Sequence, residues 1–191
     1  AKDGVLQFSA VYSESALWTL SEHRIGETAI LPGTAYIEIS RAAALRAGLG
    51  DSIAISDLTY VAPLAFGPRQ TRQVRTTLSP LEEDGYRIEV ESRAHAGEEW
   101  LLHFEARVGQ RRSAPQSLVP VSHLAPLKAD RLTLEDRGVA FGPRWANIMR
   151  ASVGEGAVSA DFALPQDFTA DLDVYRIHPA LLDTSMASGL F

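Results

Sequence analysis

Apolar and polar positions alternate most regularly in the middle of the chain. Tyr86, Ile88 and Val90 face one way while Arg87, Glu89 and Glu91 face the other, and Trp100, Leu102, Phe104, Ala106 and Val108 repeat the period of two. With residues 71–78, bounded by Ser79 and Pro80, these segments predict three consecutive antiparallel strands with one dry face, the last hairpin turning at residues 96–99. Residues 4–12 read as an earlier strand. The β-branched run 53–61 reads as another, broken by Pro63, Gly67 and Pro68.

The period changes after Pro32. Beyond the first turn, only Glu38, Ser40, Arg41 and Arg46 are polar up to Gly48, so a helix here is Ala, Ile, Leu or Tyr around most of its circumference. Pro32 forbids an earlier start, Gly33 and Thr34 offer cap positions, Gly48 supplies a left-handed stop, and Glu38 and Arg41 are spaced to pair at i,i+3. Such a helix must be wrapped, and its alanines let a sheet come close. The dry sheet face is the partner available, which makes an α+β hotdog arrangement, an antiparallel sheet curled around one central helix. The first helical turn leaves backbone N–H groups free to hold developing negative charge, and His23 lies close to it in sequence.

A polar stretch, residues 109–116, divides the chain into an N-terminal lobe, residues 1–115, and a second unit, residues 116–191. The second unit is expected to hold a short helical piece at 132–137, an extended run to Val153, an alternating segment 157–164, and a helix opened by Pro179. No strands follow that last helix. The expectation is a double hotdog whose second lobe is incomplete in this chain, its later strands supplied by another chain or lost from this one.

Composition narrows the function classes. A formal charge of −6 without a long basic run argues against nucleic acid or an anionic membrane surface as the main partner. The absence of cysteine removes disulfides and thiolate chemistry. No signal peptide stands out and no apolar run approaches the roughly 20 residues that span a bilayer, so a cytoplasmic location is expected. His95, His103 and His123 lack ligand spacing and fall on strand or linker positions expected to be exposed, so no metal site is expected.

Three stretches resemble the dehydratase domain of modular polyketide synthases. His23-Arg-Ile-Gly26-Glu-Thr-Ala-Ile-Leu-Pro32 resembles the family's His-x-x-x-Gly-x-x-x-x-Pro pattern, and Phe141-Gly142-Pro143-Arg144-Trp145 its Tyr-Gly-Pro-x-Phe. His178-Pro179-Ala180-Leu181-Leu182-Asp183 resembles the segment carrying its second catalytic residue. The likeness runs the length of the chain. It implies a double hotdog with the active site between the halves, His23 from the first and Asp183 from the second. The implied reaction is dehydration of a 3-hydroxyacyl thioester to the 2-enoyl thioester. Neutral imidazole would take the C2 proton, and a carboxylic acid held protonated in an apolar tunnel would protonate the departing hydroxide.

The resemblance further implies that N–H groups around Gly33 polarise the thioester carbonyl, and that Phe141, Gly142, Pro143 and Trp145 shape the acyl tunnel. Gly142 and Pro143 read equally as a plain turn, Trp145 as plain core, and Gly26 and Pro32 as backbone geometry. In the family the substrate rides the phosphopantetheine arm of an acyl carrier protein, so no metal or redox cofactor is implied. The implied partners are that carrier, neighbouring synthase domains and a second copy in a homodimer; a second chain completing the C-terminal lobe is the further partner expected if the missing strands lie on another polypeptide. Two departures stand out. Ala187 occupies the place, four residues after the catalytic Asp, where the family has Gln or His, and Phe141 replaces Tyr. They keep other readings open: a dehydratase-like domain that closes oxygen heterocycles or moves double bonds, or a non-catalytic module kept for dimerisation and carrier docking. A free-standing hotdog thioesterase is disfavoured by the second-lobe motifs.

Overall fold

The computed structural model describes residues 4–82, 84–111, 124–127 and 138–187. Strand β1 (Leu6–Ser13) and a short helix α1 (Trp18–Ser21) lead into a hairpin of β2 (His23–Ile25) and β3 (Thr28–Ile30), followed by the long helix α2 (Gly33–Arg46). Strands β4 (Ile53–Tyr60), β5 (Ala65–Phe66), β6 (Thr71–Pro80), β7 (Tyr86–Arg93) and β8 (Leu101–Gln110) come next. Then come β9 (Ala125–Pro126), β10 (Val139–Phe141), a 3-10 turn at Pro143–Trp145, β11 (Ile148–Gly154), β12 (Ala157–Phe162), a 3-10 stretch at Gln166–Asp173 and helix α3 (Pro179–Ala187). The helical piece expected at 132–137 lies outside the described residues, as do His123 and the proposed boundary at 115/116. Among the described residues no helix is long and apolar enough to cross a membrane.

The main sheet is antiparallel in the order β1-β6-β7-β8-β4 and carries the dry face that the alternation predicts. Leu78, Ile88, Val90, Phe104, Ala106 and Val108 are buried in one cluster with Tyr36, Ala43 and Ala44 of α2. Tyr36 stacks on Phe104 with ring centroids 5.0 Å apart. Each such large side chain, once buried, stabilises the fold by about 1.5–3 kcal/mol, so the wrapped helix is the energetic centre of the hotdog fold.

The helix ends differ from expectation at one side. Pro32, with φ −63° and ψ 145°, occupies the N-cap position in place of Gly33 or Thr34, and no side chain caps the turn. The Thr34 hydroxyl donates instead to the carbonyl oxygen of Pro179 at 2.9 Å. The other end is as expected, with Gly48 at φ 86°, and Glu38 accepts two hydrogen bonds of 2.7 Å from Arg41.

Two positions in the sheet also depart. Trp100 precedes β8 and lies under the guanidinium groups of Arg75 and Arg93, 4.1 and 4.5 Å from its ring centre. His103, expected on an exposed position, is 1% exposed. The cause is a β-bulge: Val90 pairs with Phe104 but Glu91 with Leu102, so His103 is the extra residue and both it and Phe104 turn inward.

Two smaller sheets complete the described architecture, β10-β2-β3-β5 and β12-β11-β9. β10 pairs with β2, so a segment far along the chain is built into the first hairpin's sheet. Helix α3 docks beside α2. The Thr34 bond to Pro179 and a 3.0 Å bond from the Ile177 N–H to the Glu38 carboxylate hold the two together.

Candidate active site

The spacing from His23 to Pro32 is a hairpin followed by a helix start. β2 and β3 pair Arg24 with Ala29 and Ile25 with Thr28, leaving a two-residue turn, Gly26-Glu27. Gly26 has φ 58°, a conformation open to glycine at the first central position of such turns, whereas Glu27 is not among the residues of positive φ. Reversal at that turn sets His23 opposite Ile30, and a 2.8 Å hydrogen bond joins its Nδ1 to the Ile30 carbonyl. A carbonyl only accepts, so Nδ1 carries a proton, and it is Nε2 that presents the lone pair in the neutral ring. Pro32 then ends the strand and opens α2. Gly26 itself is at an exposed tip where an added Cβ would meet nothing within 4 Å, and its positive φ serves the chain reversal. Gly33 admits Tyr60: a Cβ there would lie 3.2 Å from the ring, whose hydroxyl donates to the Gly33 carbonyl at 3.1 Å.

β10 delivers the second group of residues. Phe141 is paired with His23 across the strands, their rings 5.6 Å apart. The chain then turns at Gly142 and Pro143, and Trp145, 4% exposed, comes to 5.7 Å from the His23 ring and 5.7 Å from Phe141. Its Nε1–H donates to Oδ2 of Asp183 at 2.9 Å. One indole therefore touches both residues of the expected pair. Asp183 is half-buried on α3, next to Thr184, whose hydroxyl is occupied by the Ala180 carbonyl at 2.9 Å. Met186, three residues further along α3, is 65% exposed.

A charged cluster behind the site fastens these pieces. Arg144, the variable residue of the Gly-Pro motif, pairs with Glu22 and, at 2.6 Å, with Asp171, and its guanidinium covers the rings of Trp18 and Phe168. Burial alone would raise Asp171, but hydrogen bonds from Arg144 and His178 hold its carboxyl below the usual range. His178 stacks on Trp18 at 5.0 Å. Burial pushes its pKa down against the pull of Asp171, so the ring is neutral near pH 7, accepting the Leu181 N–H at Nδ1 and facing Asp171 with Nε2. It caps α3, with Pro179 at the first helical position. Burial, followed by the charge of Asp183, pushes the Tyr60 hydroxyl's pKa up, which marks Tyr60 as a neighbour of the site. Among the described residues no group of three or more His, Asp or Glu is placed to hold a metal ion.

Two family models match the sequence: the polyketide synthase dehydratase domain over residues 1–93 and the polyketide synthase dehydratase N-terminal domain over residues 113–191. The chain belongs to the polyketide synthase dehydratase family. It is 29% identical over 191 residues to the spectinabilin polyketide synthase system protein NorB of Streptomyces orinoci, covering 96% of this chain and 9% of that one. It thus spans less than a tenth of the length of that relative. Among solved structures, it is similar to the dehydratase domain from the CurK module of curacin polyketide synthase, with a TM-score of 0.82, 24% identity, and coverage of 96% of this chain and 67% of that one. The bifunctional dehydratase-cyclase domain in ambruticin biosynthesis is 28% identical, with a TM-score of 0.76 and coverage of 97% and 69%.

Within the polyketide synthase dehydratase family, the chain departs from the family's patterns at four places, one of them Trp145 in place of phenylalanine. Gly26 is three residues after His23, not four, and Glu27 holds the place of the motif's glycine; the hairpin tolerates this because only Gly26 needs positive φ. Phe141 brings no hydroxyl, and Ala187 brings no hydrogen-bonding group. Sequence reasoning missed Tyr60, Glu22, Arg144 and Asp171.

Proposed function

We propose that this chain removes water from a 3-hydroxyacyl thioester carried on the phosphopantetheine arm of an acyl carrier protein, giving the 2-enoyl thioester. The observation that supports the reading is the Trp145 indole, whose ring lies 5.7 Å from the His23 ring, tilted by 37°, and whose N–H is hydrogen-bonded to Asp183. Nε2 of His23 takes the C2 proton, with Nδ1–H fixed on Ile30. The C2–H electron pair becomes the C2=C3 bond as the C3–O bond breaks, and Asp183 gives its proton to the departing hydroxide, so water leaves. The imidazolium then returns its proton to the carboxylate. Backbone N–H groups at the start of α2, around Gly33, would polarise the thioester carbonyl, and Phe141 and Trp145 would line the acyl tunnel beside the turn at Gly142 and Pro143. Neighbouring synthase domains and a second copy of the chain are the further partners of this reading.

Intact-protein mass spectrometry of a carrier protein loaded with a 3-hydroxyacyl chain tests it. Loss of one water is expected, with His23→Ala and Asp183→Asn each slowing it by about 100-fold or more, the range for positioned acid and base groups. No water loss from several chain lengths, in a folded sample, would sink the reading in favour of a non-catalytic module. Likeness to a dehydratase-cyclase domain supports a second reading, ring closure after dehydration. Ring closure leaves the mass unchanged, so chromatography of the released acyl group separates alkene from heterocycle.

A further inference from the structure

We propose that the Trp145 indole N–H is the group that orients the Asp183 carboxyl, in place of a donor one helical turn further along α3. The inference rests on the reading of Asp183 as the acid of the reaction. Residues 183 and 187 share a helix face, and the methyl of Ala187 can donate nothing to a carboxylate. The indole supplies a donor from another element, with Nε1 at 2.9 Å from Oδ2. The chain thus lacks a donor at 187 and carries one at 145, where the family's phenylalanine would have none.

The surroundings hold this donor still. The indole meets Trp18 in a T-shaped contact at 5.9 Å and stacks on Phe141 at 5.7 Å, so neighbouring rings limit its tilt. The turn beneath it is closed by the Trp145 N–H on Gly142, 3.0 Å. The buried side chain of Asn147 donates to the carbonyls of Arg144 at 2.9 Å and Ala180 at 3.2 Å, so the turn carrying Trp145 and the first turn of α3 share one clamp. The distance from indole to carboxyl is therefore set by packing.

Chemistry gives the contact a consequence. An indole N–H only donates, so the oxygen it meets must accept. In the acid form Oδ2 is the carbonyl oxygen and the proton sits on Oδ1. Trp145 thereby selects which oxygen delivers the proton. Trp145 is thus a positioning residue.

Trp145→Phe removes the N–H and keeps an aromatic ring. It is expected to lower kcat by about 10- to 100-fold, the range for partners that orient a reacting group, with KM changed far less. Ala187→Gln is expected to restore most of that loss in the Trp145→Phe background and to change the unaltered chain by less than about threefold. A Trp145→Phe rate within about twofold of the parent, or an equal gain from Ala187→Gln in both backgrounds, would overturn the proposal. A second measurement does not depend on turnover: with the three tryptophans 15N-labelled, Asp183→Ala should move the Trp145 indole resonance and leave those of Trp18 and Trp100 in place. An unmoved Trp145 resonance overturns the contact even in an active dehydratase. A selective shift in a chain that releases no water upholds the contact and sinks the dehydration reading instead.

Discussion

At Gly142 the motif's glycine is required for space and not for backbone freedom. Its φ is −86°, a value any residue adopts. A Cβ there would overlap Cβ, Cγ and Cδ of Glu22. Glu22 has nowhere to go, because the Arg144 backbone N–H donates to its carboxylate at 2.9 Å and the Arg144 guanidinium pairs with it as well. Gly142→Ala is therefore expected to destabilise the chain by about 1–3 kcal/mol, the usual consequence of overpacking, read from the midpoint of chemical denaturation. A loss under about 0.5 kcal/mol would mean that Glu22 moves freely and that the Arg144 clamp is weaker than its geometry suggests.

The bulge in β8 acts on the scale of the element. It turns His103 into the core, where Nδ1 meets the Ala62 carbonyl at 3.0 Å and Nε2 meets the Ser92 hydroxyl at 2.7 Å. Burial pushes the His103 pKa down, against the Ala62 bond, and burial does the same to His178. The unfolded chain takes protons first, near pH 6.5, so stability is complete above that pH, declines as pH falls through and below it, and levels off below the folded values. Each such group contributes at most about 1.4 kcal/mol per pH unit. Urea midpoints at pH 7.5 and 5.5 should differ in the parent chain and differ less in His103→Gln; equal differences would remove His103 from the account. Alternation made the strands legible from the sequence, as Ile88 and Val90 show. It hid the bulge, because an inserted residue is decided by strands on both sides of β8 and leaves the local pattern unchanged. The helix start was misplaced by a similar cause: Thr34 is a fine cap by itself, but Pro179 claims its hydroxyl from 145 positions away.

Across the whole molecule, the two ends of the chain are joined by charge as well as by packing. The stretches that hold His23 and Asp183 were legible as local shapes, a turn before a helix and a helix opened by Pro179, while the roles of the two residues rest on the resemblance to the family. The Glu22–Arg144–Asp171 cluster was not, since Glu22 and Arg144 are 122 positions apart and only the fold brings them together. The side chains of this cluster are 12–18% exposed, so removing the central cation leaves two carboxylates poorly solvated. Arg144→Met, which keeps much of the apolar stem over Trp18 and Phe168, is expected to cost about 3 kcal/mol, the lower end for an uncompensated buried pair. The loss should be directional. Hydrogen exchange should quicken at 178–187, because α3 is docked through Asp171, His178 and the Glu38 bond to Ile177, while β6, β7 and β8 keep their protection around α2. Glu38→Gln offers a milder version, since an amide oxygen still accepts the Ile177 N–H but the pair with Arg41 is lost; its effect on 178–187 should be smaller than that of Arg144→Met. Uniform exchange throughout the chain in Arg144→Met would mean that the halves unfold as one unit, and that α3, with Asp183 on it, is held by the core as a whole and not by this cluster.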